Sequence, residues 1–300
     1  APLADETPGA HRVRIDIDLD HEGNLRRGWH RVKCRQHPNA HEQVFSHRPG
    51  LSHNPTEGRG TNMILEHRAY TMKPGLRERF YETQVERGFD AVRPVIDRVI
   101  GYFSTVSGPA DQVVHIYAFD SLDDWQTRLH GLYGVPELEP YFLKVRPLMQ
   151  EQENRILLPA PVAALTPHFS ASAYWTPGDP PLADPATSRD LLVEEQIVSL
   201  IPGSLGKYWE LIERHGVPAM SPLETNTIGS FHAMTGTLHQ VYHYWFFDGF
   251  DDRTRRHNAV RVNPEWIRFQ DEIRPHVVKQ ESKLMVPAPV PEMVPLFRAA

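Results

Sequence analysis

Hydrophobic and polar side chains alternate along residues 64–72, ILEHRAYTM, as they do in a half-buried β-strand. Pro-Gly at 74–75 ends this strand, and residues 76–89 then carry apolar side chains on one helical stripe among charged positions. Residues 99–106 and 111–119 are rich in β-branched and aromatic side chains, and they predict two further strands.

A second helical region and a fourth strand follow. Ser121, with Asp124 three residues later, is typical of a helix N-cap. One or two helices are expected up to about Met149, and residues 154–160, NRILLPA, predict a short strand. The order β-α-β-β-α-β is that of a ferredoxin-like domain. Helices on one face of such a sheet leave the other face bare, so a second sheet is needed to cover it.

The chain contains a second copy of this pattern. When the sequence is shifted by 128 positions, residues 64–162 align with residues 192–290 without a gap, and 29 of the 99 aligned positions are identical. The ending RILLPAPV at 155–162 returns as KLMVPAPV at 283–290. Two copies of about 100 residues are too few and too long for a solenoid, so we infer a domain duplication.

The duplication predicts an α+β fold in which two tandem ferredoxin-like domains pair as a pseudo-dimeric α/β barrel, each sheet covering the other. The alternative is that each copy pairs with another chain, which would make the protein a homo-oligomer. We expect a first domain over residues 63–162, a second over 191–290 and a C-terminal tail over 291–300. Residues 163–190 hold five prolines and no strand or helix period, so they are expected to form a linker.

The expected linker contains two neighbouring large aromatic rings. Tyr174 and Trp175 are expected to dock on a domain surface, because a solvated linker rarely needs two large rings.

Residues 1–62 hold seven of the 17 histidines and the single cysteine, and they lack a regular period apart from 13–20, VRIDIDLD. We expect an irregular extension here, and the alternative is that the native chain starts at Met63.

One cluster in that extension has the chemistry of a zinc site. His30, Cys34, His37 and His41 would share a helical face, and His and Cys are zinc ligands. Pro38 would break that helix, and structural zinc sites usually show pairs of cysteines. We therefore predict no metal.

Composition narrows the function classes. The net charge of −6 argues against a general nucleic-acid binder, which would show a basic face. No run approaches the ~18 apolar residues that a transmembrane helix needs. A single cysteine, Cys34, excludes an internal disulfide and is compatible with the cytoplasm, where we place the protein. The sequence also lacks G-x-S-x-G, H-E-x-x-H, G-x-G-x-x-G and phosphate-binding loop motifs, so no cofactor is predicted.

Polar side chains interrupt the apolar faces of two predicted strands. Alternation places Glu66, Arg68 and Tyr70 on one face of the first strand, and His115 and Tyr117 on one face of the third. If these faces line the barrel interior, His115 and Glu66 form an ionisable pair in an apolar pocket, the setting of general acid–base chemistry. The alternative is a buried polar pair that only fixes the strand register.

The second copy repeats part of this set. Glu194 and His243 match the glutamate and histidine of the first copy, but Gln196 replaces Arg68. An anionic ligand therefore favours the first copy, where Tyr117, together with Trp245 of the second copy, would wall the pocket. The candidate catalytic residues are His115, Glu66 and Arg68, and the candidate ligand-binding residues are Tyr70, Tyr117, Glu194, His243 and Trp245.

Three segments resemble the NIPSNAP family: LEHRAYTMKPG (65–75), VVHIYAFDSLDDW (113–125) and KVRPLMQEQENRILLPAPV (144–162). The second copy departs from the family pattern E-x-R-x-Y-x-x-x-P-G at Gln196 and Val198. The resemblance implies a dimeric α/β barrel and little chemistry. Animal relatives are mitochondrial proteins tied to vesicle traffic and mitophagy by protein contacts. The matching positions of the first copy are Glu66, Arg68, Tyr70, Pro74, Gly75, His115, Asp120 and Ser121.

Two main hypotheses follow. The first is a NIPSNAP-type barrel that binds a small molecule or a protein without catalysis. The second is a cofactor-independent oxygenase or isomerase that acts on an aromatic or polyketide-like compound. In it His115 is the base, Arg68 holds an anionic oxygen and Glu66 orients one of them within hydrogen-bonding reach. Side chains directed at the helices would exclude this site. A haem with His115 or His243 as axial ligand is a third hypothesis, which an absorbance spectrum tests.

Overall fold

A computed structural model describes residues 63–170, 174–183 and 190–297 of the chain. The expected extension of residues 1–62, with its candidate strand and candidate zinc ligands, lies outside the described residues. Both copies of the duplicated pattern lie within them.

Each copy forms four strands in the predicted order. Pro-Gly ends the first strand of each copy, and Gly75 and the equivalent Gly203 have positive φ angles of 77° and 87°, which glycine adopts without steric cost. The strands are β1 (Ile64–Met72), β2 (Val99–Ser107), β3 (Gln112–Phe119), β4 (Met149–Pro159), β5 (Leu191–Leu200), β6 (Thr227–Ala233), β7 (Gln240–Asp248) and β8 (Val277–Pro287).

Helices connect the strands on one side of each sheet. The predicted N-cap is confirmed, because the Ser121 hydroxyl accepts a hydrogen bond from the Asp124 amide at 3.1 Å. A π-helical turn, Ile212–Gly216, links two of the helices in the second copy. The helices are α1 (Arg77–Arg87), α2 (Arg93–Ile96), α3 (Leu122–Tyr133), α4 (Glu139–Val145), α5 (Leu205–Leu211), α6 (Val217–Ala219), α7 (Gly249–Arg261) and α8 (Pro264–Ile273).

The eight strands close into one antiparallel barrel with the order β1-β3-β2-β8-β5-β7-β6-β4. Two junctions between the copies close it: β2 pairs with β8, and β4 pairs with β6. The predicted pseudo-dimeric barrel is therefore confirmed, with both halves supplied by one chain. Each half leaves two sheet edges, and the junctions pair them, so every strand of the described barrel has two neighbours.

The segment between the copies packs against the barrel more closely than a solvated linker would. Tyr174 and Trp175 are each 7% exposed, which confirms that both rings are docked. The Tyr174 hydroxyl contacts Asp120 and accepts a hydrogen bond from Arg98 at 3.0 Å. Trp175 donates its indole N–H to the Pro180 carbonyl oxygen at 2.9 Å. Side-chain docking therefore holds the described parts of a segment that has no regular period.

Candidate functional site

Each strand of the barrel has an inner face, turned towards the other repeat, and an outer face, covered by the helices of its own repeat. On the inner face, His67 of β1 contacts Glu195 of β5 across the barrel, with 2.7 Å between Nε2 and Oε2. On the outer face, Arg68 lines a cavity together with Phe80 of α1. Successive residues of one strand therefore serve two separate environments.

The candidate side chains do not face the barrel interior, which is the orientation that the enzymatic hypothesis required. The β1–β3 register pairs Glu66 with Tyr117 and Arg68 with His115, so all four side chains share the outer face and point towards the helices. This excludes the enzymatic site as predicted, inside the barrel. Alternation identifies the side chains that share a face. It does not say which face turns inward, because both faces of β1 carry polar residues.

The outer-face residues of the first repeat line a small cavity between the sheet and the helices, with a volume of about 130 Å³. Pockets for drug-sized ligands have volumes of about 300–1,000 Å³, so this cavity suits a smaller molecule. Among the described residues no carboxylate side chain lines it. Its polar lining includes Arg68, Tyr70, His115 and Tyr117 from the sheet, Gln84 and Arg87 from α1, and Tyr141 from α4.

His115 presents an unpaired nitrogen in this cavity. Its ring packs against Tyr70 and Tyr102, with centroid distances of 4.7 and 4.5 Å. Its Nδ1 lies 3.4 Å from the Tyr117 hydroxyl, and its Nε2 has no hydrogen-bond partner among the described residues. Burial, assisted by the positive charge of Arg68, lowers the pKa of His115 well below its usual value. The imidazole is therefore neutral at pH 7.

The sequence had suggested that Glu66 pairs with His115, but the two side chains have different partners. It accepts a hydrogen bond from Arg68 Nη2 at 2.7 Å and another from Asn154 Nδ2 at 2.5 Å. The Arg68 guanidinium carbon also lies 4.7 Å from the centroid of the Tyr117 ring. Burial alone would lower the pKa of Arg68, but Glu66 and the nearby phenols outweigh that effect and raise it. Arg68 is thus a permanent cation whose charge Glu66 balances.

The tyrosines around His115 stay neutral. Burial is the largest cause that raises the pKa of Tyr70, Tyr102 and Tyr117 above its usual value. The Tyr102 hydroxyl is buried and has no partner in the described chain. The cavity therefore combines cationic donors, neutral phenols and one neutral imidazole.

Arg87 and Arg146 are two cavity residues that the sequence analysis missed. Both lie outside the strands, where charged residues usually face solvent, so alternation gave no reason to select them. The Arg87 guanidinium carbon lies 4.7 Å from the centroid of Tyr141, and the Arg146 guanidinium carbon lies 5.2 Å from that of Phe142. Arg87 Nη2 is buried without a hydrogen-bond partner among the described residues. The two arginines add positive charge to a cavity without carboxylates.

The equivalent histidine of the second repeat is hydrogen-bonded through both ring nitrogens. His243 Nε2 lies 2.7 Å from the Tyr208 hydroxyl, and its Nδ1 lies 2.6 Å from the Ser230 hydroxyl. Trp245 stacks on His243 at 5.4 Å within an apolar cluster that includes Phe269. Trp245 does not line the cavity of the first repeat, so the expectation that it walls one pocket with Tyr117 is wrong.

Glu194 is also held differently from its counterpart. Arg253 of α7 donates two hydrogen bonds to it at 2.9 and 2.5 Å, His257 lies 2.7 Å away, and Ser282 donates at 2.5 Å. In the first repeat the cation comes from the same strand, at Arg68. The structure therefore groups the predicted residues by repeat: Glu66, Arg68, Tyr70, His115 and Tyr117 in one group, and Glu194, His243 and Trp245 in the other.

The inner face holds a polar network that sequence reasoning missed. Glu195 contacts His67 at 2.7 Å, Tyr244 at 2.8 Å and Lys283 at 2.9 Å. Burial opposes ionisation of Glu195, but the charges of Lys283 and His67 outweigh it and hold the pKa of this carboxyl far below its usual value. His67 and Glu195 occupy equivalent positions of the two repeats. That equivalence was the signal in the sequence, because equivalent positions can meet across a pseudo-twofold axis.

A larger open groove of about 790 Å³ lies where β5 and β8 meet the start of α7. Leu191, Phe250 and Val286 form part of its apolar lining. None of the buried, unpartnered polar atoms of the described residues belongs to this lining. The smaller cavity of the first repeat is therefore the stronger candidate for specific polar recognition.

Two searches of the described residues bear on metals and membranes. In residues 63–170, 174–183 and 190–297 there is no grouping of three or more His, Cys, Asp or Glu side chains that could hold a metal ion. None of the helices in those ranges combines the length and the apolar character that crossing a bilayer requires.

Comparison with known proteins gives a consistent family. The NIPSNAP family model matches residues 65–164 and 194–291, which are the two repeats. The protein NipSnap homolog of Dictyostelium discoideum is 23% identical over 193 residues, 63% of this chain and 74% of that protein. The crystal structure of an uncharacterized NIPSNAP-like domain protein from Burkholderia xenovorans is 34% identical, and the match covers 40% of this chain and 99% of that one, with a TM-score of 0.34.

A second kind of structural neighbour covers a larger share of the chain. A putative monooxygenase from Lactobacillus acidophilus matches 75% of this chain and 93% of its own, at 10% identity and a TM-score of 0.49. A likeness at that level says nothing about activity.

Proposed function

The chain belongs to the NIPSNAP family, and from that premise we propose that its first repeat binds a small organic molecule in the cavity between the sheet and the helices. One observation carries the proposal: Arg68 Nε, Arg87 Nη2 and His115 Nε2 are all buried, all without a hydrogen-bond partner among the described residues, and all belong to residues lining this cavity. Leaving one such group unpaired costs about 1–3 kcal/mol. A ligand that bonds to them would recover this free energy.

The character of the lining defines what such a ligand offers. The guanidinium groups donate hydrogen bonds, so the ligand needs acceptors for them. His115 Nε2 accepts or donates according to its tautomer, so the ligand also needs a polar atom near the imidazole. Phe80, Val95 and Ile96 supply apolar surface in the same cavity. The ligand therefore combines a compact apolar body with at least two polar groups.

Binding is favoured over catalysis by the state of His115. A general base works best when its pKa lies near the working pH. Burial holds the pKa of His115 well below that range, so the imidazole is available as a neutral hydrogen-bonding group but is a weak base. Glu66, the residue expected to orient it, bonds Arg68 and Asn154 instead.

We also propose a cytoplasmic location and either a protein partner or a homo-oligomer. The single cysteine supports a cytoplasmic location, and the family resemblance supports a protein partner or a homo-oligomer. Cell fractionation tests the location, and sedimentation of the purified chain tests the oligomeric state.

Ligand-detected NMR with a fragment library tests the binding proposal. We expect fragments that bind the wild-type chain and lose binding in His115→Leu. His243→Leu removes the equivalent histidine from the second repeat and is the matched control, in which binding should persist. Fragments that bind His115→Leu as well as they bind the wild type would place the ligand elsewhere and contradict the proposal.

A further inference from the structure

We propose that the ligand of this cavity is a small organic carboxylate, and that Arg87 and Arg146 receive its negative charge. The inference rests on the proposed function, because it names the ligand class of the same cavity. It follows from the charges around the cavity, from the positions of the two guanidinium groups and from a comparison with the second repeat.

The charge balance of the cavity is positive. Three arginines line it, and no carboxylate of the described residues does. Glu66 balances Arg68 through their 2.7 Å ion pair. Arg87 and Arg146 form no ion pair within the described chain. Two uncompensated cations next to a buried, partly apolar space favour an anionic ligand.

The second repeat shows what these positions look like when the protein supplies a carboxylate partner. His215, the equivalent of Arg87, lies 2.6 Å from Glu265. Arg274, the equivalent of Arg146, forms an ion pair with Asp271 at 2.8 Å. In the first repeat, Leu143 stands where the second has Asp271. The carboxylate that pairs with Arg274 therefore has no counterpart beside Arg146 in the first repeat.

The Arg87 guanidinium is placed to bind a carboxylate. Arg87 donates its Nε–H to the Gly88 carbonyl oxygen at 2.9 Å, and its guanidinium carbon lies 5.5 Å from the centroid of Phe89 and 4.7 Å from that of Tyr141. Contact with ring faces leaves the N–H groups at the guanidinium edge available, and that edge matches the two oxygens of a carboxylate. Arg87 Nη2 lies on that edge and has no partner among the described residues.

Burial orients the ligand within the cavity. Phe80 and His115 are 1% and 4% exposed, whereas Arg146 is exposed, so the arginine marks the mouth and the histidine the floor. The apolar body of the ligand would lie between them. An acid with a second polar atom, which reaches His115 Nε2, fits both ends. A hydroxylated aryl carboxylate such as 4-hydroxybenzoate is a probe with these features.

Calorimetric titration of the full chain with matched pairs of probes tests the inference. The probes are benzoate, phenylacetate and 4-hydroxybenzoate, each paired with its primary amide, with phenylphosphonate as a second anion. We expect at least one acid to bind at least tenfold more tightly than its amide. Arg87→Met should lose at least tenfold of that affinity, and Arg87→Lys should lose less because it keeps the charge without the planar edge. Arg274→Met, the matched control in the second repeat, should bind like the wild type.

The outcomes separate this inference from the proposed function. Amides that bind as tightly as their acids, in a manner that depends on His115, overturn the carboxylate assignment and leave the proposed function intact. Tighter binding of phenylphosphonate than of every carboxylate also overturns it. If no acid and no amide binds, both the inference and the proposed function fail. Thermal unfolding of each variant shows whether a lost affinity reflects a lost fold, and Arg87→Lys covers the case in which Arg87→Met does not fold.

Discussion

The two repeats place a buried histidine at the same point of the same strand, but only one of the two is fully hydrogen-bonded. His243 in the second repeat contacts the hydroxyl groups of Tyr208 and Ser230. His115 has Phe80 and Tyr102 at the equivalent positions, and its Nε2 has no partner in the described chain. Unpaired buried polar atoms cost stability, so the first repeat sacrifices stability at a point where the second does not.

The two repeats also differ in whether a carboxylate contacts each of two equivalent basic positions. Glu265 contacts His215 and Asp271 pairs with Arg274 in the second repeat, whereas Arg87 and Arg146 of the first have no carboxylate partner in the described residues. The same backbone fold therefore surrounds polar side chains that are paired differently in the two repeats. The second repeat pairs both nitrogens of its buried histidine internally, whereas the first leaves His115 Nε2 available to a ligand.

The largest expected effect comes from the inner face of the barrel, where the equivalent residues His67 and Glu195 meet. His67→Glu would place two carboxylates together on the inner face, and Glu195→His would place two imidazoles there. Removing one partner from a buried pair that includes an ionised carboxylate costs about 3–5 kcal/mol, so each variant should lose that much free energy of unfolding. The double exchange should recover most of it, because Arg155 stands at the position equivalent to Lys283. Urea unfolding of the wild type, the two single variants and the double variant measures these free energies. A double variant no more stable than the less stable single variant would show that the two residues cannot be exchanged.

The second-largest effect on stability is expected at Glu194, the equivalent of Glu66 in the second repeat. Burial opposes ionisation of Glu194, but hydrogen bonds from His257, Arg253 and Ser282 outweigh it and lower its pKa from 4.5 to about 2. A carboxyl group whose pKa is lowered on folding adds stability above its unfolded pKa and loses it as the pH falls. Glu194→Gln should therefore cost about 3 kcal/mol at pH 7, and the difference should vanish as the pH falls from about 4.5 to 2.

Urea unfolding of the wild type and of Glu194→Gln between pH 7 and pH 2 measures this dependence. The exposed Glu213→Gln is the control and should leave the curve unchanged. A stability difference between the wild type and Glu194→Gln that stays constant down to pH 2 would contradict the pKa assignment.

A third variant makes the second repeat resemble the first. Tyr208→Phe removes the hydroxyl that contacts His243 Nε2 and leaves that nitrogen buried and unpaired. We expect a loss of about 1–3 kcal/mol in the free energy of unfolding. Tyr133→Phe, on an exposed ring, should change it by less than about 0.5 kcal/mol. A Tyr208→Phe variant as stable as the wild type would show that the hydroxyl contributes nothing, and the comparison of the two histidines would lose its basis.

The fourth and smallest effect on stability comes from the reverse exchange. Phe80 lies 6.3 Å from His115 between ring centroids, close to the 6.0 Å between Tyr208 and His243. Phe80→Tyr should therefore give His115 Nε2 a partner and raise the free energy of unfolding by about 0.5–1.5 kcal/mol. Thermal unfolding beside the wild type measures it, and a clear loss of stability would mean that the hydroxyl cannot reach the nitrogen.

The architecture was predictable because two independent signals agreed. Alternation and helical spacing gave β-α-β-β-α-β once, and the shift by 128 positions gave it again. The need of each sheet for a cover then gave the barrel. The side of the sheet on which the site lies was not predictable in this way. Glu66 and His67 are both polar and buried, and neighbouring residues of a strand face opposite sides.

Other parts of the site depend on contacts that a single copy does not show. Arg87 and Arg146 look like ordinary solvated charges in their own segments. They become notable beside the second repeat, where the residue at each equivalent position contacts a carboxylate. The pairing of His67 with Glu195 likewise requires the pseudo-twofold axis of the closed barrel. Comparing the chemistry of equivalent positions, beyond their identity, would have found both.

The central claim is that the first repeat keeps polar atoms unpaired for a ligand. The most direct test is to titrate the wild type, Phe80→Tyr and Tyr208→Phe side by side with the carboxylate probe that binds the wild type most tightly. The account predicts that Phe80→Tyr binds at least tenfold more weakly while its stability is equal or higher, and that Tyr208→Phe binds like the wild type at lower stability. Equal affinity in Phe80→Tyr and the wild type would contradict the claim, because His115 would then be no part of the binding site.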